Sequence, residues 1–321
     1  MNKLKFIAKI LAIVVVVYLF VSFRISNIDF HCAPKSVGVS YCHLAGTSTR
    51  LLEGVAALIP ESTQVQLGGK VAVLIPDLIT VDQSSRATQL AGKIYDEMST
   101  KPGWAFVHSS LGFTYEKMLH FQGPATQYYV YVPKHAASID KLPVLLFLHG
   151  YGGDFTSYLY LLSQAADTAG FAIVAPTYKQ GSWDADSIPF IQKVLTEAGN
   201  KFPLDTDKIT LMGISNGGLI IPNVISHLGD SIKNVVILSS YMELGQYTTP
   251  EVLSVLQNAH KLVMVYGAKD ERIDANTIPT KIQKLAANGV NAYYSRIDDE
   301  DHFLFFSQPG KVQGELLQLK Y

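Results

Sequence analysis

Lys208-Ile209-Thr210-Leu211-Met212-Gly213-Ile214-Ser215-Asn216-Gly217-Gly218 is the stretch around which the chain is organised. The run from Lys208 to Met212 is β-branched and apolar and predicts a strand, while Leu219 to Leu228 is apolar enough for a buried helix. Between them a serine stands among glycines, in the order strand, sharp turn, helix that exposes a nucleophile at the edge of a sheet. Glycine and serine are common, so a G-x-S-x-G pentapeptide arises by chance in about one chain in ten of this length. Its strand and helix give it meaning. Small neighbours let backbone and substrate approach Ser215, and the next amide, on Asn216, can donate to an oxyanion. Pro222 falls where the helix soon needs every amide and predicts a kink or a short first segment.

Composition permits an enzyme and removes several other classes. The chain has 321 residues, 48% of them apolar, enough for one large core or two smaller ones. Lys plus Arg number 26 against 27 for Asp plus Glu, so no global field favours nucleic acid. The sequence contains no zinc-spaced Cys and His set, no phosphate-binding glycine loop and no internal repeat. No cofactor and no metal are expected.

Lys3, Lys5 and Lys9 precede an apolar run from Ile10 to Phe23 that ends at Arg24, the pattern of an export signal or an amino-terminal anchor over residues 1–24. No small-x-small cleavage site follows, which favours an uncleaved anchor over a cleaved signal. The lysines would keep the amino terminus cytoplasmic and the remainder outside. The membrane is then a partner of the chain. Cys32 and Cys42 are the only cysteines, and in an oxidising compartment a local disulfide is expected of them, the alternative being two buried thiols.

Residues 25–105 form an extension of unclear role: a spacer, a cap over the active site or a membrane-facing shelf. Within it Leu51 to Ile59 predicts a short helix, Val71 to Ile75 a strand, and Ser84 to Met98 a helix. Residues 106–321 read as the catalytic domain. Phe113 to Phe121 and Gln127 to Val132 alternate as a hairpin would. Strands are then expected at Val144 to Leu148, Ala172 to Ala175, Lys208 to Met212, Val235 to Leu238, Leu262 to Tyr266 and Ala292 to Ile297. Helices are expected at Tyr158 to Thr168, Ser187 to Asn200, Leu219 to Leu228, Pro250 to Ala259 and Ile278 to Asn288. Such alternation builds an α/β fold with a mainly parallel sheet and helices on both faces. Reactive groups then belong at the carboxyl ends of the strands.

The candidates fall there. Val144 to Leu148 runs into His149-Gly150-Tyr151-Gly152-Gly153-Asp154, where the Tyr151 amide can pair with the Asn216 amide to hold an oxyanion. His149 is read as packing beside this turn. Asp270 follows the strand ending at Tyr266 and can orient a histidine, with Asp274 in reserve. His302, after the strand ending near Ile297, is the only histidine beyond Asp270 and the expected general base. The order Ser215, Asp270, His302 suits this fold.

This set resembles the α/β-hydrolase superfamily and, more narrowly, the secreted esterases grouped with polyhydroxybutyrate depolymerases and feruloyl esterases. The narrower likeness rests on Phe202-Pro203-Leu204-Asp205-Thr206-Asp207-Lys208-Ile209 leading into Gly213 to Gly218, on Tyr129 to Pro133 and on the His149 to Asp154 turn. Trp183-Asp184-Ala185-Asp186 is similar to the segment bordering the pocket in those esterases. The resemblance covers about residues 110 to 310 and implies a Ser-His-Asp serine hydrolase that cleaves small-molecule or polymer esters. Trp183, Tyr241 and Met242 are candidates for the substrate pocket, with core packing the alternative for each. A tethered serine peptidase and a non-catalytic binding protein on the same fold are the competing readings.

Overall fold

The computed structural model describes residues 32, 34–45, 47, 51–56, 59–74, 79–105, 107–118, 124–136 and 140–321. The apolar run Ile10 to Phe23 lies outside the described residues. Among those described, no helix is long and apolar enough to cross a membrane.

Eight strands form one sheet: β1 Gly38–His43, β2 Gln127–Val132, β3 Leu142–Leu148, β4 Ala172–Pro176, β5 Leu204–Ile214, β6 Ile232–Leu238, β7 Lys261–Gly267 and β8 Ala292–Ile297. Their order is β1-β2-β4-β3-β5-β6-β7-β8. The pairs β1 with β2 and β2 with β4 are antiparallel, and every other pair is parallel. All six strands expected from β3 onward are present.

Both faces of the sheet are covered, which is why its inner strands read as unbroken apolar runs. In β3, Val144, Leu146 and Leu148 enter one core with residues of the helices Ser187–Lys201, Ile221–Leu228, Pro250–Asn258 and Ile278–Ala287. Leu145 and Phe147 point the other way, into a core shared with the helices Val81–Ser99, Thr156–Ala169 and Pro309–Leu317. Pro222 acts as expected: a four-residue helix Asn216–Leu219 stops, and Ile221–Leu228 starts afresh with the proline in its first turn, where no amide is required of it.

Two expectations need correction. Val71 does not open a strand, because the helix Glu61–Ala72 runs through it and Val73 caps it. A short apolar run fits either element, and the contact with the following helix decides for the helix here. Ser84 Oγ donates to the Gly69 carbonyl at 2.8 Å, and a Cβ on Gly69 would lie 2.5 Å from Thr88 Cγ2. The hairpin partner of β2 is also a helix, Leu111–Met118. Both edges of β2 are already taken, by β1 and β4, so no hairpin strand can pair there. Ile75 and Phe121, the far ends of the two expected strands, lie outside the described residues.

The extension is woven into the fold. It supplies β1, and a disulfide joins Cys32 to Cys42 in that strand. Val39, Ala91, Ile94, Tyr95 and Met98 share one core with Tyr129 and Leu159. Deeper still, Glu61 Oε1 accepts the Tyr95 hydroxyl, the Thr156 amide at 2.7 Å and the Thr156 hydroxyl at 2.8 Å.

Burial raises the Glu61 carboxyl, against the pull of these donors. Burial likewise pushes Asp154 well above the usual carboxylate range; the Thr177 hydroxyl opposes this and the Glu61 charge adds to it. A raised folded-state value means that the native protein holds its proton while the unfolded chain releases it, so stability falls as pH rises above about 3.8. Asp154→Asn, which imitates the protonated acid, is expected to raise Tm above wild type at pH 8, with the gap closing toward pH 4. Thermal unfolding across that range checks it, and a gap independent of pH would contradict the assignment.

Candidate active site

Close backbone approaches build the turn after β5. Ser215 sits at φ 50°, ψ −119°, a conformation that costs about 1–3 kcal/mol and survives only where its surroundings enforce it. Its amide donates to the Leu238 carbonyl and its carbonyl accepts from the Gly218 amide, each at 2.9 Å, and from Ser240 Oγ at 2.7 Å. A Cβ on Gly213 would lie 2.3 Å from the Gly217 carbonyl oxygen, and one on Gly217 would lie 2.1 Å from that of Leu148. No side chain fits at either place. The glycines of the pentapeptide are therefore steric requirements of the turn.

Ser215 Oγ lies 2.9 Å from His302 Nε2, and His302 Nδ1 lies 2.8 Å from Asp270 Oδ2. Asp270 is 3% exposed and its other oxygen accepts the Arg272 amide at 3.0 Å, so both oxygens are partnered. Asp270, following β7, is the acid that meets the imidazole; Asp274 and Glu271 are exposed. A carboxylate on Nδ1 fixes the tautomer that leaves Nε2 free to take a proton from the serine. The loop carrying His302 is seated on β7: the Lys269 amide donates to the Glu300 carbonyl at 2.9 Å, and a Cβ on Gly267 would lie 2.3 Å from that oxygen.

The turn after β3 lies against the serine, since a Cβ on Gly150 would be 3.4 Å from Ser215 Cβ. Among the described residues no turn or cap carbonyl takes the Tyr151 or Asn216 amide, which leaves both free to donate to a ligand. His149 is fully buried. Its Nε2 accepts the Tyr178 amide at 3.0 Å, so Nδ1 carries the proton and donates to the Gly150 carbonyl at 2.8 Å. Burial pushes its pKa down to about 4, and the imidazole stays neutral as a brace for the turn.

The remaining pocket candidates divide. Met242 is buried in the core, Trp183 is half-buried and stacks on Tyr178 while its Nε1 donates to the His149 carbonyl at 2.8 Å, and Tyr241 is exposed beneath Lys281 Nζ. Trp183 thus braces the same turn as His149. A cleft of about 340 Å³ opens beside His302, lined by Phe303, Arg86, Lys269, Arg272 and Asp301 among others.

Sequence reading passed over three supports. Ser240 holds the Ser215 carbonyl, Arg86 reaches the His302 loop, and the segment Lys179 to Gly181 buttresses the β3 turn. The Gln180 carbonyl accepts the Gly152 amide at 2.8 Å, and Gly181, at φ 90°, would place a Cβ 2.2 Å from the Gly150 carbonyl oxygen. A glycine two residues before Trp183 was the available signal.

A mostly parallel sheet with its serine on the turn after β5, and with the serine's partners following β7 and β8, is the α/β-hydrolase architecture. No protein-family model matches the chain. No curated protein matches it either. Among solved structures it is similar to a fluorophosphonate-binding serine hydrolase F of Staphylococcus aureus, at 17% identity and TM-score 0.49 over 60% of this chain and 92% of that one. A ferulic acid esterase is similar at 18% identity and TM-score 0.48, over 60% of this chain and 89% of that one. An S-formylglutathione hydrolase of Staphylococcus aureus is similar at 16% identity and TM-score 0.47, over 60% and 92% respectively.

Gly181→Ala forces the Gly150 carbonyl to move and with it the Tyr151 amide. The folded variant is expected to lose at least about 10-fold in the rate at which a fluorophosphonate labels Ser215, the scale set by misplacing one oxyanion donor. Labelling kinetics beside a circular dichroism spectrum read this, and a native rate would show that the segment does not set the turn.

Proposed function

We propose that the protein is a serine hydrolase cleaving carboxylic esters through an acyl-enzyme. One observation carries the reading: the continuous hydrogen-bonded path from Ser215 Oγ through His302 to the buried Asp270, on a serine held in a strained backbone conformation. In the first half-reaction Ser215 Oγ attacks the ester carbonyl carbon while its proton passes to His302 Nε2. Asp270 holds the Nδ1 proton and stabilises the imidazolium, and the Tyr151 and Asn216 amides hold the tetrahedral oxyanion. The carbon–oxygen bond to the alcohol then breaks, and the alcohol leaves with the proton from Nε2. In the second half-reaction water gives a proton to His302 and its oxygen attacks the acyl carbon; the acid departs and Ser215 recovers its proton. Every step draws on these five groups of the chain alone.

The disulfide between Cys32 and Cys42 supports a location outside the cytoplasm, where such bonds persist. Together with the basic residues ahead of the apolar run Ile10 to Phe23, it favours a membrane-anchored enzyme with an extracytoplasmic catalytic unit.

Turnover of p-nitrophenyl esters from acetate to palmitate by wild type, Ser215→Ala, His302→Ala and Asp270→Asn tests the reaction. The serine and histidine variants are expected to lose at least about 10³-fold in kcat, and Asp270→Asn about as much through the wrong tautomer. A folded wild type that turns over no ester, or a Ser215→Ala variant with native turnover, would refute the proposal.

A further inference from the structure

One face of the helix Val81–Ser99, which belongs to the amino-terminal extension, touches both loops of the site. Gln83 and Arg86 are three residues apart and so lie on the same side of the helix. Gln83 Oε1 accepts Arg272 Nη2 at 3.3 Å, two residues beyond Asp270. Arg86 Nη2 lies 2.9 Å from Glu300 Oε2 and its Nε lies 3.0 Å from Asp301 Oδ2, the two residues immediately before His302. The helix itself is fixed: Ala91, Ile94, Tyr95 and Met98 are in the core, and the capping box of Thr80 and Gln83 holds the first turn at two bonds of 3.2 Å.

From this geometry we infer that Arg86 is a positioning residue for His302, clamping the loop that presents the imidazole to Ser215. The inference rests on the roles proposed above for Ser215, Asp270 and His302. Glu300 is 7% exposed and its Oε2 also accepts the Ser307 hydroxyl, so without Arg86 a carboxylate would stand nearly buried with no cation. Asp301 spends its other oxygen on the Phe303 amide at 2.9 Å, which closes a turn around His302 itself. A guanidinium suits this place because its planar fork reaches two carboxylates at once, as an ammonium does not. Nδ1 of His302 is tied to Asp270 just beyond β7, whereas the two residues before His302 are tied through their carboxylates to Arg86, 214 positions before Glu300 in the chain. The ring is thereby held from two sides.

The full chain carrying Arg86→Ala or Arg86→Lys tests the clamp, with Lys208→Ala, which removes a surface ion pair with Asp205, as the control. Arg86→Ala is expected to lower kcat for p-nitrophenyl acetate about 10-fold with KM within about twofold, as misplacement of a catalytic group does. Hydrogen exchange at amides 300–303 is expected to quicken, Arg86→Lys to recover part of both, and Lys208→Ala to change neither. A folded Arg86→Ala with native kcat overturns the clamp, whether or not exchange quickens. A loss of kcat that only follows the loss of folded protein also overturns it. A wild type that turns over no ester defeats the reading of the site itself and the role of Arg86 with it, an outcome separate from an active wild type indifferent to Arg86.

Discussion

The left-handed backbone of Ser215 is the constraint from which the site follows. L-residues avoid that region, and the chain holds one there by removing every alternative. Gly217 is pressed against the Leu148 and His149 carbonyls, Gly213 against Gly217, and Gly218 against Ser240. These contacts also weld the end of β3 to the end of β5. The strand order reverses between β4-β3 and β5-β6, so the two carboxyl ends that meet are those flanking the natural crevice of the sheet. Strain at one residue and the place of the site are thus consequences of a single packing arrangement.

Everything around the serine then acts to keep neighbouring backbone still. His149 and Trp183 serve the turn after β3 through main-chain bonds, one by accepting the Tyr178 amide and the other by donating to the His149 carbonyl. A neutral, buried imidazole is well suited to this, because a cation there would be desolvated without a counter-charge. Among the described residues, the imidazole that meets both Ser215 and a carboxylate is that of His302. Burial therefore keeps the histidine that has no acid neutral, as a strut, whereas the imidazole of His302 is bonded to a buried carboxylate.

How far the sequence discloses this depends on the range of the interaction. The strands β3 to β7 were legible because strands buried on both faces write continuous apolar runs, and glycine marks the turns after β3, β5 and β7; β8, Ala292–Ile297, is only partly buried and was legible from its β-forming residues after a helix. Ser215, Asp270 and His302 were legible because each follows a strand end. β1 was hidden: Gly38–His43 is an edge strand whose pairing with β2 depends on residues almost ninety positions away in sequence, and local pattern carries no trace of that. The helix Leu111–Met118 misled for a related reason: its alternating Phe113 and Tyr115 imitate a strand, while its close neighbour is distant in sequence, a Cβ on Gly153 lying 2.7 Å from Thr114 Oγ1 and 2.8 Å from Leu111 Cδ2. Arg86 could not be found at all from sequence, its partners lying at the other end of the chain.

The run Asp298-Asp299-Glu300-Asp301 shows what such distant pairing accomplishes. In sequence it is four carboxylates beside a histidine, the composition of a solvated loop. In the fold the four separate into two pairs. Asp298 and Asp299 remain in water, 80% and 96% exposed, against Arg296 and Lys269, where screening leaves each pair little energy. Glu300 and Asp301 turn inward onto one guanidinium, a seryl hydroxyl and a backbone amide. Charges in the first pair face water; those in the second give the loop directional bonds, the Glu300 carboxylate among them nearly buried. An acidic run next to His302 is thereby made compatible with a defined imidazole position, and the cation that makes it so comes from the segment of the chain that looked least concerned with the site.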